Sequence, residues 1–175
     1  MISAFGSSCI PSDDPRYRAV VALGRRLAEA GWRGQTGGHQ GMMAAFAEGM
    51  AQGGGAVRGV TLSRFPTPPE NALAEELRCD DFFERMKRLV EECDAWLVLP
   101  GGLGTLSEFA MCWDLKAIRV VEPRPLIFFG DCWPPLLAAL ERHLVMSVED
   151  AMAQVVCCRS EDAVLSVLRD VSLGR

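Results

Sequence analysis

Lysine is scarce in this chain: Lys87 and Lys116 stand against sixteen arginines. A pyridoxal-phosphate enzyme needs a lysine for its Schiff base. Both lysines lie in charged helical contexts and follow no cofactor motif, so that chemistry is not expected and no other cofactor is implied. Histidine is as sparse. His39 and His143 fall in no ligand-spaced cluster, which argues against a metal site. Long apolar runs are missing too: none approaches the roughly 18 residues of a membrane helix. The opening MISAFGSS has neither a basic start nor a long apolar run, so neither a targeting signal nor a membrane partner is expected. Positive charge is in deficit. The formal net charge of −5 argues against nucleic acid as the main partner. The seven cysteines are odd in number and include no C-x-x-C pair, the usage of reduced thiols in a cytoplasmic protein. Internal repeats and low-complexity tracts are absent.

What is present is an alternation. The 175 residues suit one domain around one core. Short apolar runs at 1–5, 32–36, 56–61, 95–99, 126–129 and 155–157 read as strands. Stretches of helical period at 15–30, 42–52, 82–92, 105–117, 134–143 and 160–170 separate them. Asp13 or Asp14 is placed to cap the first helix, and Gly31 to end it. Three prolines in 63–72 make that segment a surface loop. The helix at 82–92 carries an apolar stripe of Phe82, Phe83, Met86, Leu89 and Val90. This alternation predicts an α/β protein, a Rossmann-like three-layer fold with a parallel sheet flanked by helices. Residues 95–99 are apolar without interruption, as a buried central parallel strand requires.

That strand runs directly into PGGLGTLSE, residues 100–108. A helix N-terminus offers unpaired backbone N–H groups and the positive end of a dipole, so an anion sits there readily. Gly101, Gly102 and Gly104 let the backbone turn sharply and approach a ligand. Thr105 is placed to cap the helix and to share its hydroxyl with the anion. The loop is not a Walker A motif, since no G-K-[ST] follows, nor a dinucleotide fingerprint, since the third glycine is missing. Glu108 lies one helical turn past Thr105, on the side of the anion. From spacing alone, Glu108 equally suits the helix dipole, and Arg85 equally suits a solvated place beside Lys87 and Arg88.

PGGLGTLSE resembles the PGG-x-GT-x-x-E signature of the lonely-guy phosphoribohydrolases, long labelled lysine decarboxylases. The resemblance covers roughly positions 2 to 130. Gly6, Ser7 and Ser8, after Phe5, are similar to the family's first-strand turn. GGHQGMM, with Gly37, Gly38, Gly41 and Met42, resembles its second glycine loop. The resemblance implies catalytic roles for Arg85, fifteen residues ahead of Pro100, and for Glu108, and nucleotide binding by the glycine loops. It also implies a Rossmann-like fold over a single domain of residues 1–175 and a homodimer with its sites near the interface. The chain departs from the family pattern at Phe82 and at Met86, where the family carries Lys. Its second loop departs at His39 and Ala44.

The activity implied is hydrolysis of the N-glycosidic bond of a nucleoside 5′-monophosphate, AMP or an N6-substituted AMP, to free base and ribose 5-phosphate. The partner is then a nucleoside monophosphate or another phosphorylated small molecule. The departures leave an alternative: a carrier that binds a nucleotide or a molybdopterin-type cofactor without cleaving it.

Overall fold

The computed structural model describes residues 1–65, 71–146 and 148–173. Its elements follow in chain order. The first half holds β1 (Ile2–Phe5), α1 (Pro15–Glu29), β2 (Gly34–Thr36), α2 (Met42–Gln52), β3 (Val57–Leu62) and β4 (Glu75–Cys79). The second half holds α3 (Phe82–Glu91), β5 (Ala95–Val98), α4 (Leu103–Ala117), β6 (Leu126–Phe129) and α5 (Trp133–His143). A single 3-10 turn (Ala151–Gln154), β7 (Val155–Cys158) and α6 (Glu161–Leu173) close it.

The strands form one parallel sheet in the order β4-β3-β2-β1-β5-β6-β7. The alternating side chains of the central strands feed two cores. Ala4 and Leu97 face a core with Leu23, Phe46 and Leu168, from α1, α2 and α6. Phe5, Trp96 and Val98 face a core with Leu89, Phe109 and Leu137, from α3, α4 and α5. Helix–sheet–helix layering of this kind is the Rossmann-like fold expected from the alternation.

Glycines set the closest helix contact. A Cβ on Gly24 would stand 2.8 Å from the Phe46 carbonyl oxygen, and one on Gly49 would collide with the Val21 carbonyl. Backbone-to-backbone packing of α1 on α2 therefore depends on both. Asp14 is the cap of α1, accepting from the Arg16 backbone N–H at 2.8 Å.

Several expectations need correction. The strand β4 was not legible. Its sequence, EELRC, is charged and mostly exposed, because an edge strand needs no apolar alternation. The proline-rich loop at 63–72 lies in part outside the described residues, which stop at 65 and resume at 71. The stripe on α3 is narrower than expected: Met86, Leu89 and Val90 are buried, whereas Phe82 and Phe83 are exposed. Trp113 is core, and its Nε1 donates to the Ala151 carbonyl at 2.8 Å. Cys157 and Cys158 on β7 face opposite ways, one exposed and one buried.

Candidate functional site

The strand order reverses beside β1. The chain runs outward through β2, β3 and β4, then returns to β5 on the other side of β1. Ligands of open parallel sheets bind in the crevice beyond the carboxyl ends of the strands at such a point. The loops after β1, β2 and β5 meet there. The Ser7 N–H donates to the Pro100 carbonyl at 3.1 Å, and the Met42 N–H to the Ser7 carbonyl at 2.8 Å. Gly41, with φ +65°, lies so close to the Ser7 and Ser8 backbone that a Cβ would collide. Gly6 lets α2 approach β1, since its Cβ would stand 2.5 Å from that of Met42.

A cleft of about 460 Å³ opens over these loops. Of the residues singled out in the sequence, Gly6, Ser7, Ser8, Gly37, Gly38, Arg85, Gly102, Gly104, Thr105 and Glu108 line it. Gly101, Gly41 and Met42 do not. Met42 is fully buried in the core, and Gly101 makes room for the Thr105 side chain.

Helix α4 starts earlier than expected, at Leu103, with Gly102 as its N-cap. Thr105 is therefore a buried first-turn residue and not the cap. No side chain caps this end among the described residues. Its first N–H groups have no helical acceptor and are left to a ligand or solvent. A Cβ at Gly102 or Gly104 would meet nothing within 4 Å, so both glycines face open space. Glycine gains nothing from packing at either position.

Arg85 comes from α3, which Asp81 caps by accepting from the N–H groups of Phe83 and Glu84, each at 2.9 Å. Its Nε donates to the Val60 carbonyl at 2.8 Å, and its Nη1 stands 3.7 Å from Glu108 Oε1. Both side chains are 14% exposed. Arg85 is thus no solvated surface arginine. A Cβ at Gly37 would collide with the Arg85 guanidinium, so the second glycine loop is what gives that group its place.

Burial pushes the Glu108 carboxyl up from 4.5 to about 7, against the opposing pull of Arg85. The acid and its anion are then both populated near neutrality.

The cleft is also lined by apolar side chains that the sequence did not mark as site residues. Leu62 ends β3, two strands away from β1, Phe65 lies three residues beyond it, and Phe82 opens α3. Thr61, Met43, His39, Cys9 and Leu103 complete the lining. Of these, the sequence had marked only His39, as a departure in the second glycine loop. Leu62 and Phe65 carried one usable signal: they stand at and just past the carboxyl end of a parallel strand, where ligands of such sheets bind. Among the described residues no lysine lines the cleft; Lys116 donates instead to the Gln154 carbonyl at 2.8 Å. Among the described residues no group of three His, Cys, Asp or Glu could hold a metal ion. No described helix is long and apolar enough to cross a membrane.

Residues 43–168 match the family model described as "Possible lysine decarboxylase". The chain is 28% identical to a cytokinin riboside 5′-monophosphate phosphoribohydrolase of Rhodococcoides fascians, over 91% of this chain and 85% of that protein. It is 30% identical to a probable cytokinin riboside 5′-monophosphate phosphoribohydrolase of Oryza sativa subsp. japonica, over 71% of this chain and 57% of that protein. Among solved structures it resembles the molybdenum cofactor binding protein of Rippkaea orientalis, with TM-score 0.73, 21% identity and coverage of 97% and 95% of the two chains. It also resembles the molybdenum cofactor carrier protein of Chlamydomonas reinhardtii, with TM-score 0.72, 17% identity and coverage of 99% and 98%. At these identities the structural likeness concerns the fold. The family model spans most of the chain, and the chain belongs to the lysine-decarboxylase-like, or lonely-guy, family.

Proposed function

We propose that the protein hydrolyses the N-glycosidic bond of a nucleoside 5′-monophosphate, AMP or an N6-substituted AMP, giving free base and ribose 5-phosphate. The observation that carries this reading is the Arg85–Glu108 pair, 3.7 Å apart on the cleft wall beside the uncapped start of α4. The phosphate docks on the N–H groups at 102–105. The ribose then lies over Glu108, and the base extends toward Leu62, Phe65 and Phe82. The bond from ribose C1′ to the base nitrogen breaks, and both its electrons leave with the base. The Glu108 carboxylate stabilises the positive charge that develops on the sugar, a field effect strengthened by burial. Water adds through oxygen to C1′, and its proton ends on the base. Arg85 binds the ligand and keeps Glu108 partly ionised. The names of the two phosphoribohydrolase relatives support the reaction. A lysine-based decarboxylation has no lysine in the described cleft to use.

A second reading is a carrier that holds a nucleotide or a molybdopterin-type phosphorylated cofactor in the same cleft. Met86, apolar and 1% exposed where the family's signature has Lys, favours it. One assay separates the two. Purified protein is incubated with AMP and N6-substituted AMP, and free base is sought by chromatography. Release of base above background is expected. Ligand binding with no base released would leave the carrier.

The same reading has residues 1–175 act as one nucleotide-binding domain of a cytoplasmic homodimer. Exposed Leu103, Phe65 and Phe83, around and beside the cleft mouth, support an interface there. Sedimentation should return about twice the chain mass of 19.1 kDa.

A further inference from the structure

A row of polar side chains crosses the core beneath α3. Ser3 on β1 pairs in register with Gln35 on β2, and Gln35 with Arg58 on β3. Ser3 and Gln35 are fully buried. Polar groups in such a place are costly unless every one is matched, and an apolar side chain would cover α3 equally well. Burial alone therefore does not explain the row.

Its hydrogen bonds converge on one end of one helix. Arg58 donates to Gln35 Oε1 and, at 2.7 Å, to Glu92 Oε2. An arginine has no acceptor, so the Gln35 oxygen must face it and the Gln35 amino group must face α3. That Nε2 lies 3.2 Å from the Arg88 carbonyl, 3.5 Å from Leu89 and 3.3 Å from Glu92, and donates to Ser3 Oγ at 2.5 Å. Ser3 Oγ in turn donates to the Leu89 carbonyl at 2.5 Å. Arg124 takes the neighbouring carbonyls of Val90, Glu91 and Cys93 at 3.1, 2.9 and 2.6 Å. The Glu92 N–H still reaches the Arg88 carbonyl at 3.0 Å, and the carbonyls beyond it, left without helical partners, are held by side chains of fixed position.

Arg85 stands on the same helix, one turn before Arg88. Sliding α3 along its axis would carry the guanidinium away from Val60 and from Glu108, and sites of this kind tolerate about 0.5 Å of misplacement. We propose that Gln35, oriented by Arg58, is a positioning residue that fixes α3 along its axis and so holds Arg85 against Glu108. This rests on the reading of Arg85 and Glu108 as a working pair, and not on hydrolysis itself.

The test uses the full chain with its glutamate carboxyl carbons labelled with 13C. The Glu108 signal is the one lost in Glu108→Gln, and its ionisation midpoint is followed by NMR without any ligand. Gln35→Met removes the donors and keeps the length. Arg85 then drifts, and the Glu108 midpoint rises by about 0.5 to 1 pH unit, part of the 1–3 that a close opposite charge supplies. Gln35→Asn keeps the amide with a shorter reach and moves the midpoint in the same direction. A folded Gln35→Met chain with the wild-type midpoint would overturn the proposal, however far its Tm falls. Should that variant fail to fold, an unchanged midpoint in Gln35→Asn overturns it equally. Absence of base release would sink the proposed reaction and leave these midpoints to be read. Unchanged midpoints in a chain that releases base would sink the positioning role alone.

Discussion

At Glu108 burial and the Arg85 charge oppose each other, and burial wins. The folded carboxyl titrates at about 7 against 4.5 when unconstrained. The folded chain therefore holds a proton that the unfolded chain releases between these values, and stability falls across that window as pH rises. Below 4.5 the penalty is absent; above about 7 it is complete. At 1.36 kcal/mol per pH unit this gap corresponds to about 3 kcal/mol for a side chain that is 14% exposed. Glu108→Gln cannot ionise. Its Tm relative to the wild type should therefore be higher at pH 8 than at pH 4, by about 6–12 °C at 2–4 °C per kcal/mol. The same variant should keep nucleotide binding and lose turnover by about 100-fold or more. Thermal melts at the two pH values and single-turnover assays check both halves. Gly37→Ala makes the complementary test. Its methyl collides with the Arg85 guanidinium and stands 3.0 Å from the Met43 sulfur, both side-chain ends and not backbone, so the fold should persist while base release falls about 10-fold or more through misplacement. Arg85 and Glu108 could be picked out in the sequence because a signature with fixed spacing carries them. Leu62, Phe65 and Phe82 could not be tied to the site, because the cleft wall they form depends on where the ends of β3 and α3 meet in space.

Elements were legible where burial imposes a pattern. The runs at 42–52 and 126–129 match α2 and β6 end to end, since their apolar residues must face the sheet or the helices. Strand β4 escaped because one edge of it pairs with β3 and the rest meets water. The start of α4 escaped for a different reason. Glycine at a helix start reads as loop, yet Gly102 caps the helix and Gly104 lies inside its first turn. Glycines within elements also divide by what stands over them. On α2, Gly49 faces the Val21 carbonyl of α1, and a methyl there has nowhere to go. Gly49→Ala should destabilise the chain by about 1–3 kcal/mol through overpacking, even though alanine is the better helix former. Urea denaturation would read this as a lower midpoint at unchanged slope. A stability equal to the wild type would mean that α1 and α2 separate without cost.

For the whole molecule, strand order decides where chemistry can happen. The alternation of elements predicted a parallel sheet with helices on both faces, but not the order β4-β3-β2-β1-β5-β6-β7. No local pattern encodes on which side of β1 the returning chain will pair. That choice brings the loops after β1, β2 and β5 together and sets the first turn of α4 at the crevice between β1 and β5. If a phosphate docks at 102–105, ligand binding must couple to global stability, because the crevice exists only when the sheet has closed. A ligand at 100 times its Kd adds about 2.7 kcal/mol to the folded state, or roughly 5–11 °C in Tm for a chain of this size. Saturating AMP should produce such a shift in the wild type. Gly104→Ala should abolish most of it. The methyl would stand in open space where the ligand approaches, and no protein atom lies within 4 Å to be displaced. Without ligand the same variant should melt at or slightly above the wild-type temperature, since alanine favours a helix by about 1 kcal/mol over glycine. A variant that is at least as stable and yet blind to AMP would mark Gly104 as kept for binding at the expense of helix stability. An AMP shift of wild-type size in Gly104→Ala would instead move the phosphate away from the start of α4.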